Sequence, residues 1–241
     1  MTGAFINVAA ILIGGLIGIT FGGRIPERMK ETVVAGMGLF TAVMGIQMFL
    51  KTQNSMIVLG ALVIGTLLGE WLGIENGLHA LGQFLEARFA RDDAPGASDR
   101  FMRGFLTASL LYCIGPLAIV GSINDGLTGD YSLIAVKSIL DGFASIAFAS
   151  SLGIGVLFSA VPLFMIQGGI SFTAMQLGHF MTISASAADP KVLELTATGG
   201  VILFGLAFGR LLEMKSIRVG NMLPALVIAP LIVWGLSRLI V

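Results

Sequence analysis

Charged positions divide this chain into long apolar stretches. Residues 1–23 carry no charge, and then Arg24, Arg28 and Lys30 crowd together. Further charge-free runs cover 32–50, 52–69, 104–124, 142–188, 195–209 and 219–237. A helix crossing the hydrocarbon of a bilayer needs about 20 apolar residues, so most of these runs predict one crossing each. The run 142–188 is too long for one helix, and another span must begin near Tyr131, ahead of Lys137 and Asp141. The pattern predicts helices near 4–23, 32–50, 54–72, 104–122, 131–150, 152–182, 194–213 and 221–240. Pro162 and the Gln167-Gly168-Gly169 triplet are expected to kink or divide the long sixth segment. The expected fold is therefore all-α. It is a polytopic transmembrane bundle of about eight spans with a broken sixth segment, forming a single transmembrane domain over 1–241. No basic residue precedes the first span, which argues against a cleaved secretory signal.

Composition agrees with that pattern and narrows the class. The chain is 56% hydrophobic and 12% charged, against about 25% charged in ordinary soluble domains, and its mean hydropathy is +0.94. The lipid bilayer is thus its first partner. Fourteen basic residues balance fourteen acidic ones, so no basic field points to nucleic acid. Cys113 is the single cysteine, which excludes an internal disulfide and a cysteine-built zinc site. No phosphate-loop, GxGxxG, HExxH or GxSxG pattern occurs, and no large segment lies outside the membrane. A nucleotide motor is therefore not expected, nor any cofactor.

Lysine and arginine give an orientation. Arg24, Arg28 and Lys30 follow the first span; Arg88, Arg91, Arg100 and Arg103 separate the third from the fourth; Arg210, Lys215 and Arg218 separate the seventh from the eighth. With eight spans these three groups share one side, and only Lys51, Lys191 and Arg238 lie on the other. The positive side faces the cytoplasm, so both termini are expected outside. A nine-span alternative, splitting 142–188 into two full crossings, moves the last basic group out and fits less well.

The one sizeable polar segment is 73–103. Leu78, Leu81, Leu85 and Phe89 fall at helical spacing, predicting an amphipathic helix in the cytoplasmic interface. Asp92, Asp93, Pro95, Gly96 and Ser98 then read as a loop. The strings around Gly18 and Gly22, Gly65 and Gly69, and Gly205 and Gly209 echo one another as GxxxG, a spacing that lets membrane helices approach closely. A parallel repeat of hairpins and chance matching of glycine-rich helices explain this echo about equally well.

Polar residues inside the spans carry the candidate chemistry. Counted from Tyr131 at about 1.5 Å per residue, Asp141 lies about 15 Å deep, near the middle of a hydrocarbon layer about 30 Å thick. Lys137 is one turn away on the same face and can offset its charge. Either the two form a neutral structural clamp or they mark a solute or ion pathway, as intramembrane ions commonly do. Proline at Cys113-Ile114-Gly115-Pro116 is expected to interrupt the fourth span. Gly121-Ser122-Ile123-Asn124-Asp125-Gly126 after it reads as an ordinary turn or as unwound backbone lining a cavity. Gln167 and Gln176 are placed to hydrogen-bond between helices. His79 is expected on the interfacial helix, His179 near a span end and Glu70 at a solvated helix end. Twelve scattered methionines suit gap filling better than a copper pathway.

These strings resemble a family. Thr107 to Gly168, with Ala108 to Gly115, Gly121 to Gly126, Lys137-Ser138-Ile139-Leu140-Asp141-Gly142 and Gly153 to Ser159, is similar to the YqgA/YdfK-type bacterial inner-membrane proteins. The Gly14 to Gly18 and Arg24 to Arg28 strings and Gly65 to Glu75 are similar too, so the likeness covers most of the chain. The resemblance implies a multi-pass protein of the bacterial inner membrane, in a family of unknown function.

The expected function is that of a transporter or channel for a small solute or ion, not of an enzyme, since no nucleophile and base stand at a recognisable spacing. Asp141 is the expected ion or proton site with Lys137 as its resting partner. Asn124, Asp125 and Ser122 would add oxygens at the outer mouth, and Ser138 and Gln167 would line the path. The alternative is a membrane scaffold or assembly protein, docking through 73–103. A homo-oligomer is compatible with either.

Overall fold

The computed structural model describes residues 1–22, 24–89, 96–177, 189–212, 214 and 217–239. Expectations resting on Arg91, Asp92, Asp93, Pro95, His179 and Lys215 lie outside the described residues. Every regular element among those described is helical. The elements are α1 (Thr2–Gly22), α2 (Glu27–Phe49), α3 (Ser55–Leu72), α4 (Ile74–Phe89), α5 (Ala97–Cys113), α6 (Pro116–Leu127) and α7 (Ser132–Leu152). They continue as α8 (Gly155–Phe158), α9 (Ala160–Leu177), α10 (Pro190–Leu206) and α11 (Ala225–Leu239). A π turn over Ala207–Leu211 extends α10, and a 3-10 turn over Val219–Met222 leads into α11.

Local chemistry sets several of these limits. Asn54 caps α3 by accepting the Met56 N–H at 3.1 Å, and Gly73 ends it in the left-handed region at φ 64°, where glycine carries no Cβ penalty. Asp189 caps α10 through the Lys191 N–H at 2.8 Å, with Pro190 at the first helical position, where a missing donor costs nothing. Proline opens α6 in the same way, after the expected interruption of the fourth span. α5 and α6 meet there at a bend of 61°.

Two expectations about irregular backbone need correction. Residues 121–126 are neither a turn nor unwound; they lie inside α6, and the turn comes later, at 128–131. Their glycines serve packing instead. A Cβ on Gly126 would lie 2.2 Å from the Ser171 carbonyl oxygen, and one on Gly121 would lie 2.8 Å from the Ile134 side chain. The sixth segment breaks at Gly153 and again at Ser159, not at 162–169. Pro162 falls in the first turn of α9, where its absent N–H is not needed, and Gln167-Gly168-Gly169 continues as unbroken helix.

Among the described residues seven helical stretches are long and apolar enough to cross a membrane, and the bent α5–α6 pair makes an eighth if it counts as one span. Glycine contacts give the directions of several helices. α1 and α7 run parallel, since Gly3 meets Ile134, Gly14 meets Gly142 and Gly22 meets Ser150. With α2 and α3 each crossing once, α7 can parallel α1 only if α5–α6 crosses once. α2 and α10 run antiparallel, as Gly45 against Gly200 and Gly38 against Leu211 require. Large apolar side chains such as Leu39, Phe40, Val43, Leu67 and Phe143 are exposed, as lipid-facing positions are where tails solvate them.

Contacts gather into two compact units. The first holds α1, most of α4, and α5 to α9 almost entirely; the second holds most of α2 with α3, α10 and α11. In the first, α1 presents a buried stripe of Gly3, Asn7, Ile11, Gly14, Gly18 and Gly22. A Cβ at Gly14 would come within 2.2 Å of the Gly142 carbonyl oxygen, and one at Gly18 within 2.4 Å of that of Ile146. Backbone therefore touches backbone along the α1–α7 seam.

In the second unit, Gly65 and Gly69 of α3 meet Ala225 and Asn221. α10 uses Gly200 at its close approach; Gly205, the member of the echo, makes only an ordinary contact with Val219. The echoed GxxxG strings thus pack in different ways. Glu194 is buried and its carboxylate accepts from the Thr52 hydroxyl at 2.6 Å and the Gln53 and Asn54 N–H groups at 2.8 and 3.0 Å.

α4 has the expected amphipathic character. Leu85 is buried and Leu78 and Leu81 half-buried, while Asn76, Gln83, Ala87 and Arg88 are exposed. Phe89 leaves the stripe and stacks against Phe158 at 6.0 Å. Glu75 is buried at its start. Its N–H donates to Asn221 Oδ1 and its carboxylate accepts the Gly220 N–H, both at 2.7 Å.

Candidate functional site

The first unit contains a buried polar cluster built from four helices, α1, α5, α7 and α9. On α7, Lys137, Asp141 and Ser145 recur every fourth residue on one buried face. Lys137 Nζ donates to Asp141 Oδ2 in an ion pair one helical turn long. Lys137 is 6% and Asp141 8% exposed, so the charges are removed from water together, as buried ions must be.

α1 supplies the second component. Asn7 Nδ2 donates to Asp141 Oδ2 at 2.9 Å and to Gln167 Oε1, on α9, at 3.2 Å. The glycine seam makes this bond available, because Asn7 sits on the same stripe as Gly14, two turns away. Asn7 and Gln167 are fully buried, yet Asn7 Oδ1 and Gln167 Nε2 have no hydrogen-bond partner.

α5 adds a third side. Tyr112 shares a 2.8 Å hydrogen bond with Ser145, and Lys137 Nζ lies 5.9 Å from the Tyr112 ring centre. The buried hydroxyls of Ser109 and Thr107, both without hydrogen-bond partners, continue along α5 from Tyr112.

A second polar cluster closes the start of α1. Asp125 of α6 is buried, and its Oδ2 accepts the Gly3 N–H at 3.1 Å and the Ser171 hydroxyl at 3.4 Å, with the amino group of Met1 at 3.0 Å. Ser171 also donates to the Ser122 carbonyl at 2.8 Å, while the Ser122 hydroxyl bonds back to Ala118. A carboxylate at a helix start satisfies orphan N–H groups and meets the positive end of the helix dipole.

The structure therefore brings Asp141, Lys137 and Gln167 into one cluster and Asp125 and Ser122 into another. Ser138 donates to Ile134 within its own helix. Asn124 is half-buried, and its carbonyl accepts from Thr128 at 2.9 Å. Asp125 Oδ2 is engaged by the start of α1 and by Ser171, and the Ser122 hydroxyl by its own backbone, while Asp125 Oδ1 is buried without a hydrogen-bond partner. Asn7, Tyr112, Ser145 and Ser171 were not anticipated. Asn7 had a signal, being the only carboxamide in an otherwise charge-free stretch from 1 to 23; the others look like ordinary membrane-helix residues.

Comparison with known proteins finds likeness at the level of family. The family described as "Protein of unknown function (DUF554)" matches residues 2–234. An Escherichia coli protein described as "Uncharacterized protein YqgA" is 32% identical over 94% of this chain and 94% of its own length. A Bacillus subtilis relative, "Uncharacterized membrane protein YdfK", is 28% identical over 97% of this chain and 96% of its own. No solved structure matches.

Proposed function

The chain belongs to the DUF554 family, and we propose that it is a transporter or channel of the bacterial inner membrane, moving a small solute or ion without a nucleotide motor. What supports this is one observation: an ionised pair, Lys137–Asp141, buried in a membrane helix and joined to two buried carboxamides whose remaining polar atoms lack partners. A central aspartate costs about 2.5–3.5 kcal/mol to insert even on the lenient scale, and such residues usually mark substrate or ion pathways. A clamp alone would not need the unpartnered carboxamide atoms, each of which carries a desolvation cost.

Within this reading Asp141 is the ion or proton site, Lys137 its resting counter-charge, and Asn7 and Gln167 the groups that set its hydrogen bonding. The basic groups at 24–30, 86–103 and 210–218 face the cytoplasm and both termini face out. The chain is not an enzyme and needs no cofactor, and more than one copy is compatible with transport.

Flux into proteoliposomes, measured against a panel of ions and small anions, tests the reading. Asp141→Asn should assemble normally and lose flux, because the amide keeps the shape but not the charge. The double variant Lys137→Met with Asp141→Asn decides between pathway and clamp. If it folds well and retains full flux, the pair is a structural clamp and the transport assignment to this site fails.

A further inference from the structure

Resting on that reading, we propose that the species bound at Asp141 is a proton, and that Asn7 and Gln167 form a two-position carboxamide relay that registers it. The starting point is the pair of atoms without partners. With Asp141 ionised, Asn7 turns its Nδ2 to both Asp141 Oδ2 and Gln167 Oε1. That arrangement satisfies the carboxylate but leaves Asn7 Oδ1 and Gln167 Nε2 unpartnered in a fully buried setting.

Protonation of Asp141 inverts the need. The carboxyl gains an O–H donor and loses its demand for two donors on one oxygen. A half-turn of both carboxamides then places Asn7 Oδ1 where Nδ2 stood, accepting from the Asp141 O–H and from Gln167 Nε2 together. The two atoms left over in one state are the two that find partners in the other. The proton comes from water reaching Asp141, and the one bond formed is O–H; no other bond changes. Lys137 keeps its own proton and, when the carboxylate is neutralised, retains the face of Tyr112, to which a desolvated ammonium is attracted.

The donor set also speaks against a metal cation. Lys137 Nζ and Asn7 Nδ2 both point at Asp141 Oδ2, whereas hard cations require several oxygens at close range. Among the described residues no three histidine, cysteine, aspartate or glutamate side chains are grouped to hold one. The other titratable or charged groups on the packed helices are Tyr112, Cys113, Arg103, Arg100 and Asp99 of α5, Asp125 of α6 and the Met1 amino group; α8 and α9 contribute none.

The test is pH-difference infrared spectroscopy on the full-length protein in lipid vesicles, paired with flux driven separately by pH, sodium and potassium gradients. A protonated-carboxyl carbonyl band should appear on acidification and shift in heavy water. It should vanish in Asp141→Asn, move in Asp141→Glu, and move again in Asn7→Leu, which loses the acceptor for the O–H. Side-chain amide bands that change with it should be lost in Gln167→Leu. The pH gradient should drive flux, and Asp141→Asn should abolish it. If no carboxyl band responds to Asp141→Asn or Asp141→Glu while sodium or potassium gradients drive Asp141-dependent flux, the pathway stands and the proton assignment falls. If the band is present and none of the gradients drives flux, the pathway reading falls and takes this proposal with it.

Discussion

Replacing Gly14 by alanine adds one methyl group at the tightest point of the α1–α7 seam. That Cβ would stand 2.2 Å from the Gly142 carbonyl oxygen, where ordinary contact begins at 3.4 Å, so the helices must part by about 1.2 Å. Backbone oxygen has no rotamer to escape into, and overpacking of this kind costs about 1–3 kcal/mol. The same displacement acts on Asn7. Its 2.9 Å bond to Asp141 would stretch towards about 4 Å, beyond hydrogen-bonding range. Losing a hydrogen bond between membrane helices costs about 0.6–1.7 kcal/mol. Alanine returns up to about 1 kcal/mol of helix propensity, which leaves a net loss of about 2 kcal/mol. Gly169→Ala is the control, because a Cβ there meets nothing within 4 Å and only the propensity gain remains. Unfolding by dodecyl sulfate in mixed micelles measures both, and flux in vesicles should fall for Gly14→Ala alone. If the two variants agree to within about 0.5 kcal/mol, a size usual for surface changes, the seam does not hold Asn7 against Asp141 as argued.

Three further outcomes follow from the geometry. Glu194→Ala removes the acceptor for Thr52, Gln53 and Asn54 and should destabilise the second unit by about 2–3 kcal/mol, with Glu194→Gln recovering roughly half, read by the same unfolding assay. Asp130, in the turn before α7, is held below its ordinary 3.8 by the Ser132 hydroxyl and then by the Ser132 backbone N–H. A lowered carboxylate stabilises the fold above its ordinary value and loses that contribution as pH falls through the lowered one. Amide exchange over 132–137 should therefore quicken only at the acid end, and Asp130→Asn should flatten the dependence. Single cysteines at Met29, Ala87 and Met214 should label from the cytoplasmic side and those at Gln53 and Thr128 from outside; labelling of Met214 together with Gln53 would overturn the eight-span orientation.

Much of this protein was legible in the order of its residues, because the bilayer imposes a one-dimensional rule. Crossing it takes about 20 apolar residues whatever they pack against, so gaps between charges located α1 to α3, α7, α10 and α11 within a few residues. The same rule singled out Lys137 and Asp141, since ions at that depth need a reason wherever their neighbours lie. The amphipathic period of α4 was equally local.

What the tertiary structure decided is everything that depends on which helix touches which. Asn, Asp and Gly at 121–126 have the composition of a turn, yet Gly121 and Gly126 are the points where α6 meets Ile134 and Ser171, and packing overrides that local preference. Asp125 Oδ2 receives the Gly3 N–H at the beginning of α1, 122 residues away. Asn7 acquires its role only because Gly14, Gly18 and Gly22 let α1 lie directly on α7. A carboxamide's partners depend on distances of a few ångströms between segments far apart in the chain, and no local pattern encodes them.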